Sequence, residues 1–322
     1  MSSPLKVGSL NLNSRVFQSP LAGVTDRIFR KLVRRYSPNS MIYTEMINAT
    51  ELCHLKKVQQ LVDIEQKPIG VQIFESRYDF IVEAAKKIES QGAQIIDINM
   101  GCPVNKITKK GGGSSLLKQP KVAQKIIYEI SRIVKIPITV KTRIGWNDSG
   151  IDILDFAKMM EDAGAAMLTI HARTRDQGYN GTSHWKWVNK IKENLLIPII
   201  ANGNIFSIED AVKCLEITNA DGVMCSRGTL GYPFLVGEID YFFQTGYCSQ
   251  IITPYQRLKC AKEHLKELWK YKGNQGIYQG RKHLRWYCQG FPGASELRKK
   301  IICIESIEEG YRLLDKGIEL CT

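Results

Sequence analysis

The sequence lacks the long apolar run that a membrane-spanning helix requires. Its longest apolar stretches, such as residues 195–201, stop well short of the ~18 residues that a membrane span needs. Residues 1–6 lack the hydrophobic core of a secretory signal. These absences exclude an integral membrane protein and predict a cytoplasmic protein without a membrane partner.

Paired cysteines are also absent. The nine cysteines are an odd number, and none of them forms a Cys-x-x-Cys or Cys-x-x-His pair. This pattern favours neither a disulfide framework nor a zinc site. We therefore expect reduced thiols and no bound metal.

Acidic residues are scarce relative to basic ones: 32 Asp and Glu stand against 45 Lys and Arg, which gives a net charge of +13. The excess is densest in residues 241–322, which hold 14 basic and 8 acidic residues. Such a balance favours an anionic partner, with RNA or DNA ahead of an acidic membrane surface. The alternative is that surplus lysine keeps a cytosolic protein soluble.

The glycine-rich turn that follows the first strand of a doubly wound dinucleotide-binding sheet is missing. Instead, short apolar runs alternate with segments of helical periodicity up to residue 240. The clearest helical segments are residues 78–91, 120–134, 152–163 and 207–216. Eight strand–helix units in this length predict an α/β fold, a (β/α)8 or TIM barrel. The predicted strands are 16–19, 41–44, 70–74, 95–98, 138–141, 167–171, 199–201 and 222–225.

The rhythm changes after residue 243. Residues 244–250 have the composition of a linker, and no strand-like run of similar strength follows. Four segments of helical periodicity predict a small C-terminal all-helical domain that packs on the barrel. We therefore predict two domains, a catalytic barrel at 1–245 and a helical domain at 246–322. The four predicted helices are 254–272, 276–289, 294–303 and 306–320.

The most informative motif is Asp-Ile-Asn-Met-Gly-Cys-Pro at residues 97–103. It follows a buried apolar strand, so it puts the Cys102 thiol at the carboxyl end of a barrel strand. The active sites of (β/α)8 enzymes lie at that end. Cys102 is therefore a candidate reagent, and the alternative is a buried packing thiol.

The other strand ends carry residues that suit a flavin. Small residues at 20–23 allow close approach of a flat ring, and the loops after strands 7 and 8 of such barrels commonly hold a phosphate. Arg227 supplies a forked cation for that phosphate. Lys141 supplies a charge that stabilises a reduced, anionic flavin. Taken singly, Lys141 and His171 are more often structural residues, but together these residues predict a cradle for flavin mononucleotide (FMN).

The motifs, in their order and spacing, closely resemble those of the tRNA-dihydrouridine synthases, most nearly the bacterial B-type branch. The resemblance covers nearly the whole chain. It also extends to residues 281–287, which look like the helical-domain signature of that family. The motifs that carry it are residues 20–27, 44–46, 72–73, 97–103, 113–117, 141–146, 171–175 and 200–203.

The resemblance implies an FMN enzyme that reduces the C5=C6 bond of specific uridines in tRNA to 5,6-dihydrouridine, with NADPH or NADH as electron donor. It implies that the flavin passes a hydride to C6 and that Cys102 donates a proton to C5. A thiol suits this role, because its ordinary pKa near ~8.5 keeps it mostly protonated at neutral pH.

The same matching implies further site residues. Asn99, Arg143 and Arg173 would meet the uracil or its neighbours. FMN would be held by Pro20, Leu21, Ala22, Gln72, Lys141, His171, Asn202, Gly203, Asn204, Ser226 and Arg227.

The chain departs from the family pattern at three of these positions. Leu21 stands where Met is common, Asn204 where an acid is common and Ser226 where Gly is common. Glycine in a phosphate loop lets the backbone approach closely. The side chain of Ser226 must therefore point away from the phosphate or bind it through its hydroxyl.

Residues 276–300 combine six cations with one acid and are interleaved with aromatic residues. This composition is typical of an RNA-facing surface, and we assign Arg281 and Arg285 to tRNA rather than DNA. The aromatic residues alone are more typical of a buried helix face.

Nothing in the sequence demands more than a monomer. Two alternatives remain: a flavin barrel that acts on a small molecule, and a tRNA-binding protein without catalysis.

Overall fold

The computed structural model describes residues 4–54, 66–148 and 153–321. Its centre is a ring of eight parallel strands: β3 Val16–Gln18, β4 Met41–Tyr43, β6 Ile69–Phe74, β7 Ile95–Met100, β8 Ile138–Gly145, β9 Met167–Thr174, β10 Ile199–Asn202 and β11 Gly222–Cys225. Each strand pairs with the next, β11 pairs with β3, and β4 pairs with β6, so the ring closes. The predicted (β/α)8 barrel is confirmed.

Strands β8 and β9 are longer than the sequence predicted. The apolar runs end at Lys141 and His171, but both strands continue to Gly145 and Thr174. The extensions stay paired, with Arg143 opposite His171, and a bulge lies between Arg143 and Gly145. Polar residues continue these strands because the barrel mouth supplies hydrogen-bond partners for them.

Three further strands were not predicted: β1 Leu5–Val7, β2 Leu10–Leu12 and β5 Ile47–Asn48. The first two form an antiparallel hairpin, and β5 pairs with the far end of β6. The hairpin packs Val7 and Leu12 into a buried cluster with barrel residues that include Phe17, Ile95 and Met167. Two or three residues per strand are too few for periodicity to reveal.

Nine α-helices described in the first part of the chain surround the ring or connect its strands. The largest buried cluster joins their apolar faces to the outward-facing strand residues. The predicted start of one helix, residue 152, lies outside the described residues. The helices are α1 Arg27–Tyr36, α2 Ala49–His54, α3 Tyr78–Ser90, α4 Asn105–Thr108, α5 Pro120–Ser131, α6 Ile153–Asp162, α7 Trp185–Asn194, α8 Ile208–Thr218 and α9 Leu235–Thr245.

The chain after residue 246 is helical, as predicted. Helix α9 is capped by Gly246, and the next helix begins with a capping box in which Thr253 and Gln256 bond each other's backbone N–H groups. None of the described helices is both long and apolar enough to cross a membrane. The four helices are α10 Pro254–Lys272, α11 Asn274–Tyr287, α12 Ala294–Ile301 and α13 Ile307–Glu319.

The C-terminal helices pack directly on the barrel half of the chain. Leu32 of α1 and Phe234 belong to the same buried cluster as the apolar faces of α10 to α13. The loop after β11 also touches α11 so closely that a Cβ on Gly231, at φ +65°, would lie 2.2 Å from the carbonyl carbon of Trp286. Helix α11 is thereby held at the rim of the barrel.

Candidate active site

A cavity of about 380 Å³ lies at the carboxyl ends of the barrel strands. This volume is in the range of small-molecule sites. The structure brings most of the sequence-predicted residues together there, because parallel strands deliver their ends to one face of a barrel. Those that line it are Pro20, Leu21, Ala22, Gln72, Asn99, Cys102, Lys141, Arg143, His171, Asn202, Gly203, Asn204, Ser226 and Arg227.

The cavity is cationic. Lys141, Arg143 and Arg227 line it, and the described lining residues contain no Asp or Glu. Burial lowers the pKa of Lys141 to about 8, and the charge of Arg143 acts in the same direction. The site is therefore suited to an anionic ligand.

The described residues contain no group of three or more His, Cys, Asp or Glu that could hold a metal ion.

His171 is neutral in this setting. Burial is the main cause that lowers the pKa of its imidazole well below the ordinary value, and four cations add to it, Lys141 and Arg143 foremost. Its ring lies 6.2 Å from that of Tyr179. At neutral pH His171 can donate one hydrogen bond and accept another.

Lys141 is oriented by an amide on β10. Its Nζ donates to Asn202 Oδ1 at 3.0 Å. Asn202 Nδ2 donates in turn to Met224 O at 2.7 Å and to Ser226 Oγ at 2.9 Å. The hydroxyl of Ser226 is thus turned toward Asn202, and Ser226 has a φ of −123°, so this position does not need the left-handed freedom of glycine.

The turn that carries Cys102 is tightly held. Asn99 Oδ1 accepts the N–H groups of Gly101 at 3.1 Å and Cys102 at 2.9 Å. Ser114 N–H donates to the Cys102 carbonyl at 3.0 Å. The carbonyl is approached so closely that a Cβ on Gly113, at φ +60°, would lie 2.7 Å from it. The Gly-rich stretch after the motif therefore supports the cysteine turn from below.

The Cys102 thiol is protonated at neutral pH. Burial raises its pKa above the ordinary value, and this outweighs the opposing effects of a backbone hydrogen bond and of the Arg143 and Lys141 charges. The side chain is part-buried but lines the cavity. The turn therefore presents a proton donor to whatever the cavity binds.

Two of the arginines hold a loop. Arg143 Nη1 donates to the carbonyls of Thr174 and Gly178, each at 2.8 Å. Arg173 donates to Asn180 O at 3.0 Å, Gly181 O at 2.6 Å, Ser183 Oγ at 2.9 Å and Asn204 Oδ1 at 2.8 Å. Arg173 is 1% exposed and does not line the cavity. Its side chain positions the 178–183 loop, and its contact with substrate stays a prediction.

Sequence reasoning missed Tyr179, which lies on that loop at the cavity mouth. Its ring is 4.9 Å from the guanidinium of Arg227 and 5.7 Å from that of Arg143. The side chain is 56% exposed, so its open face is available to a ligand. The signal was present in the sequence, because Gly-Tyr-Asn-Gly at residues 178–181 lies in the loop that follows the His171 strand.

Sequence reasoning also missed Trp286 as a cavity residue. Of the described residues that line the cavity, Trp286 alone comes from beyond residue 246. It was treated as one of several aromatic residues on α11, yet Tyr287 is fully buried and Tyr278 is 55% exposed. Only the packing of α11 against the Gly231 loop distinguishes them, and that packing cannot be read from the sequence.

Arg281 and Arg285 lie outside the cavity lining. Arg285 is exposed, whereas Arg281 is part-buried and its Nε donates to Ile304 O at 2.8 Å. Arg281 therefore has a structural partner in the loop between α12 and α13. The contact of both arginines with RNA stays a prediction.

Comparison with known proteins gives a consistent family. A family model described as dihydrouridine synthase (Dus) matches residues 17–319. A probable tRNA-dihydrouridine synthase 1 from Synechocystis sp. is 58% identical over 319 residues, which is 98% of this chain and 90% of that protein. The tRNA-dihydrouridine synthase B of Pseudomonas aeruginosa is 36% identical over 300 residues, 92% of this chain and 90% of that protein.

Solved structures share the fold. An old yellow enzyme homologue from Zymomonas mobilis has a TM-score of 0.55 at 14% identity and covers 77% of this chain and 94% of its own. Morphinone reductase in complex with tetrahydroNAD has a TM-score of 0.54 at 14% identity, and the match covers 79% of this chain and 93% of the reductase. At such low identity these matches show a common barrel alone. The family model and the two close relatives go further: this chain belongs to the dihydrouridine synthase family.

Proposed function

We propose that this protein is an FMN-dependent tRNA-dihydrouridine synthase, which uses NADPH or NADH to reduce the C5=C6 bond of specific uridines in tRNA. The observation that carries the proposal is a protonated thiol, Cys102, on the wall of a cationic cavity at the mouth of the barrel. Family membership supports the reaction class, and the names of the relatives support tRNA as the substrate.

The cavity residues fit FMN in charge and in apolar surface. The described lining has cations and no carboxylate, as a phosphate and an electron-rich ring require, and Leu21, Met224 and Leu230 offer apolar surface to a flat ring. FMN that NADPH or NADH has reduced would, when bound, supply the hydride that C6 of uracil accepts. We assign its binding to Pro20, Leu21, Ala22, Gln72, Lys141, His171, Asn202, Gly203, Asn204, Ser226 and Arg227.

Cys102 supplies the proton. The Sγ–H bond breaks as a bond forms between that hydrogen and C5 of uracil, and the thiolate left behind regains a proton from water. The raised pKa keeps the thiol in its donating form at neutral pH, and the charges of Arg143 and Lys141 stabilise the thiolate after transfer. The thiol is thus available to act as a general acid.

The uracil contacts fall to Asn99 and Arg143. Asn99 Oδ1 is already occupied by two backbone N–H groups, but one Nδ2 hydrogen faces only the sulfur of Met46 at 3.7 Å. A thioether is a weak acceptor, so a uracil carbonyl can take that hydrogen bond. Arg173 acts through the 178–183 loop, and Arg285 with its neighbours on α11 would meet the tRNA backbone.

The test is to incubate the FMN-loaded protein with NADPH and tRNA that lacks dihydrouridine, and to map the product by nuclease digestion and mass spectrometry. Dihydrouridine at a small number of positions supports the proposal, and the Cys102→Ala variant should lose it while it still binds FMN. A flavin that NADPH bleaches without any dihydrouridine product would instead favour a reductase of small molecules.

A further inference from the structure

At the cavity floor, three polar side chains form a chain of hydrogen bonds, in which Gln72 and Asn99 line the cavity and Asp97 does not. Asp97 Oδ2 accepts from Gln72 Nε2 at 2.7 Å, and Gln72 Oε1 accepts from Asn99 Nδ2 at 2.8 Å. Asn99 Oδ1 then accepts the N–H groups of Gly101 and Cys102. The chain runs without a gap from a carboxylate inside the barrel to the backbone of the cysteine turn.

The barrel geometry explains this arrangement. Gln72 of β6 and Asp97 of β7 are register partners, and Asp97 and Thr139 are partners across β7 and β8. Asn99 lies two residues beyond Asp97, so its side chain points to the same face. The exposed fractions of Asp97, Gln72 and Asn99 are 1%, 1% and 8%. Solvent therefore cannot replace these hydrogen bonds at low cost.

The direction of every bond is fixed. Burial raises the pKa of Asp97 to about 6, which still leaves a carboxylate at neutral pH. A carboxylate only accepts, so Gln72 must present its NH₂ group to Asp97, as Thr139 presents its hydroxyl at 2.6 Å. The Gln72 oxygen is then left for Asn99. The Asn99 oxygen is left for the turn, which offers only N–H groups.

We propose that Asp97 is a positioning residue that holds the Cys102 turn in place through Gln72 and Asn99. This goes beyond the proposed function, since it assigns a role to a residue that touches neither the turn nor the cavity. Its consequence for catalysis rests on the proposed role of Cys102, but its structural content does not. Without an acceptor at Asp97, the buried Gln72 amide loses its anchor, Asn99 loses its partner, and the turn loosens.

The first test measures the turn itself, without tRNA or NADPH. The FMN-loaded protein is treated with iodoacetamide, and alkylation of each cysteine is followed by mass spectrometry. Asp97→Val should label Cys102 about fivefold faster, because about one buried hydrogen bond no longer opposes opening of the turn. Cys248 and Cys303, which are exposed, serve as internal controls with unchanged rates.

Further variants separate the hydrogen-bond chain Asp97–Gln72–Asn99, called the relay from here on, from a general effect of charge or folding. Asp97→Asn keeps an oxygen for Gln72 and can turn its NH₂ group to the Thr139 hydroxyl, so labelling should stay near the wild-type rate. Gln72→Met, which removes both amide groups, should behave as Asp97→Val and replaces it if that variant does not fold. Because Gln72 is also assigned to FMN, its labelling rate is read only on protein whose flavin absorbance shows full loading. Thr139→Val keeps the Asp97–Gln72 bond and should leave labelling unchanged.

A double-mutant cycle gives the decisive readout. Asn99→Ala removes the last side chain of the relay, so adding Asp97→Val to it should accelerate labelling no further. Additive effects of the two substitutions on the labelling rate of Cys102 would overturn the proposal. A labelling rate that Asp97→Val leaves unchanged would also overturn it, and so would equal labelling rates in Asp97→Asn and Asp97→Val. In turnover, Asp97→Val should lower uridine reduction about a hundredfold, the scale expected for a misplaced reacting group, whereas Asp97→Asn should lose about fivefold at most.

The outcomes for the relay and for the proposed function are distinguishable. A wild-type protein that makes no dihydrouridine would overturn the proposed function, yet the labelling experiment would still test the relay. Conversely, the relay alone would be overturned if the wild-type protein reduces tRNA normally and Asp97→Val leaves the labelling rate of Cys102 unchanged.

Discussion

The Cys102 thiol follows β7 and the Lys141 ammonium lies on the neighbouring strand β8, and burial shifts the pKa of each group toward its neutral form. The two shifts have opposite signs, because burial disfavours a thiolate and an ammonium alike. Cys102 is thereby kept as an acid over a wide range of pH, whereas Lys141 becomes titratable near neutrality. The two groups therefore predict pH dependences in two different steps.

The step that depends on Cys102 should be insensitive to pH around neutrality. With its pKa raised, the thiol stays protonated between about pH 6 and 8, and it loses its proton only at alkaline pH. Reoxidation of the pre-reduced enzyme by tRNA, followed by stopped-flow absorbance, should be flat in this range and fall above it. Cys102→Ala should show a low rate without the alkaline fall, and a decline already between about pH 6 and 8 would contradict the assignment.

Binding of FMN should weaken as Lys141 loses its proton. The pKa of Lys141 in the cofactor-free protein is about 8, and we expect the bound cofactor to favour the charged form. Affinity is therefore full below this pKa and falls above it, by about tenfold from pH 7 to 9. Flavin fluorescence titrations of the apoprotein measure this change. Lys141→Arg keeps its charge over this range, so its FMN affinity should not depend on pH. If FMN affinity falls with pH in the same way in both proteins, another group is responsible.

At the scale of elements, the loop 178–183 depends on arginines rather than on apolar packing. Arg173 donates four hydrogen bonds into the loop and its neighbour Asn204, and Arg143 adds one to Gly178. Because Arg173 is almost fully buried, water does not compete for these bonds. The loop carries Tyr179 over the cavity, so its stability bears on ligand binding.

Replacing Arg173 should loosen this loop. Arg173→Met leaves several acceptors without a partner, and we expect a loss of about 3 kcal/mol of stability together with faster amide hydrogen exchange in 178–183. Arg175→Met is a matched control, since the Arg175 guanidinium contacts Asp176 and Asn105 instead. Unchanged exchange in Arg173→Met would assign the stability of the loop to other contacts.

The elements show what the sequence could and could not predict. All eight barrel strands were found, because buried parallel strands are continuous apolar runs. Their ends were misjudged at β8 and β9, where polar residues such as Arg143 continue the strand at the barrel mouth. The hairpin β1–β2 was missed because three residues do not establish a period.

The candidate site divides in the same way. Residues at strand ends, such as Lys141 and Asn202, could be grouped because the fold brings those ends together. The direction of the Arg173 guanidinium and the approach of Trp286 depend on loop and helix packing, which leaves no local pattern. The relay from Asp97 depends on register between strands, which the sequence does not specify.

At the scale of the whole molecule, ion pairs join the helical C-terminal part to the barrel. Along α1 and α10, Lys31 lies 3.4 Å from Glu267 and Arg35 pairs with Glu263, while Lys272 meets Asp26 at 2.5 Å. These pairs neutralise part of the positive charge between the two halves. We expect RNA to meet other cations, which form no such ion pair within the described residues.

Two such cations are Lys282 and Arg285, which are exposed on α11. Lys282 reaches the loop after β3, since its Nζ would lie 2.9 Å from a Cβ on Gly23, and Trp286 of the same helix enters the cavity lining. If the uridine occupies the cavity as proposed, we expect the tRNA to pass over this part of α11. Phosphate contacts at these cations would help to offset the few kcal/mol that extraction of a base from its stack costs.

Replacing Lys282 and Arg285 together by Ala should therefore weaken tRNA binding most strongly at low salt. Each lost phosphate contact should reduce the slope of log affinity against log salt concentration by about 1, so the double variant should lose about 2. Filter binding or fluorescence anisotropy over a salt series measures the slope. Arg281→Ala should change the slope less and the stability more, because Arg281 also bonds Ile304 O.

Removing two cations elsewhere controls for net charge. Lys158 on α6 and Lys190 on α7 flank β9, which is three strands away from β3 around the ring. Replacing both by Ala changes the net charge by the same amount, and it should leave the salt slope unchanged if tRNA contacts α11. An equal loss of slope in the two double variants would mean that tRNA responds to the overall charge of +13 and not to a binding face. The orientation of tRNA would then have to be set by contacts within the cavity mouth.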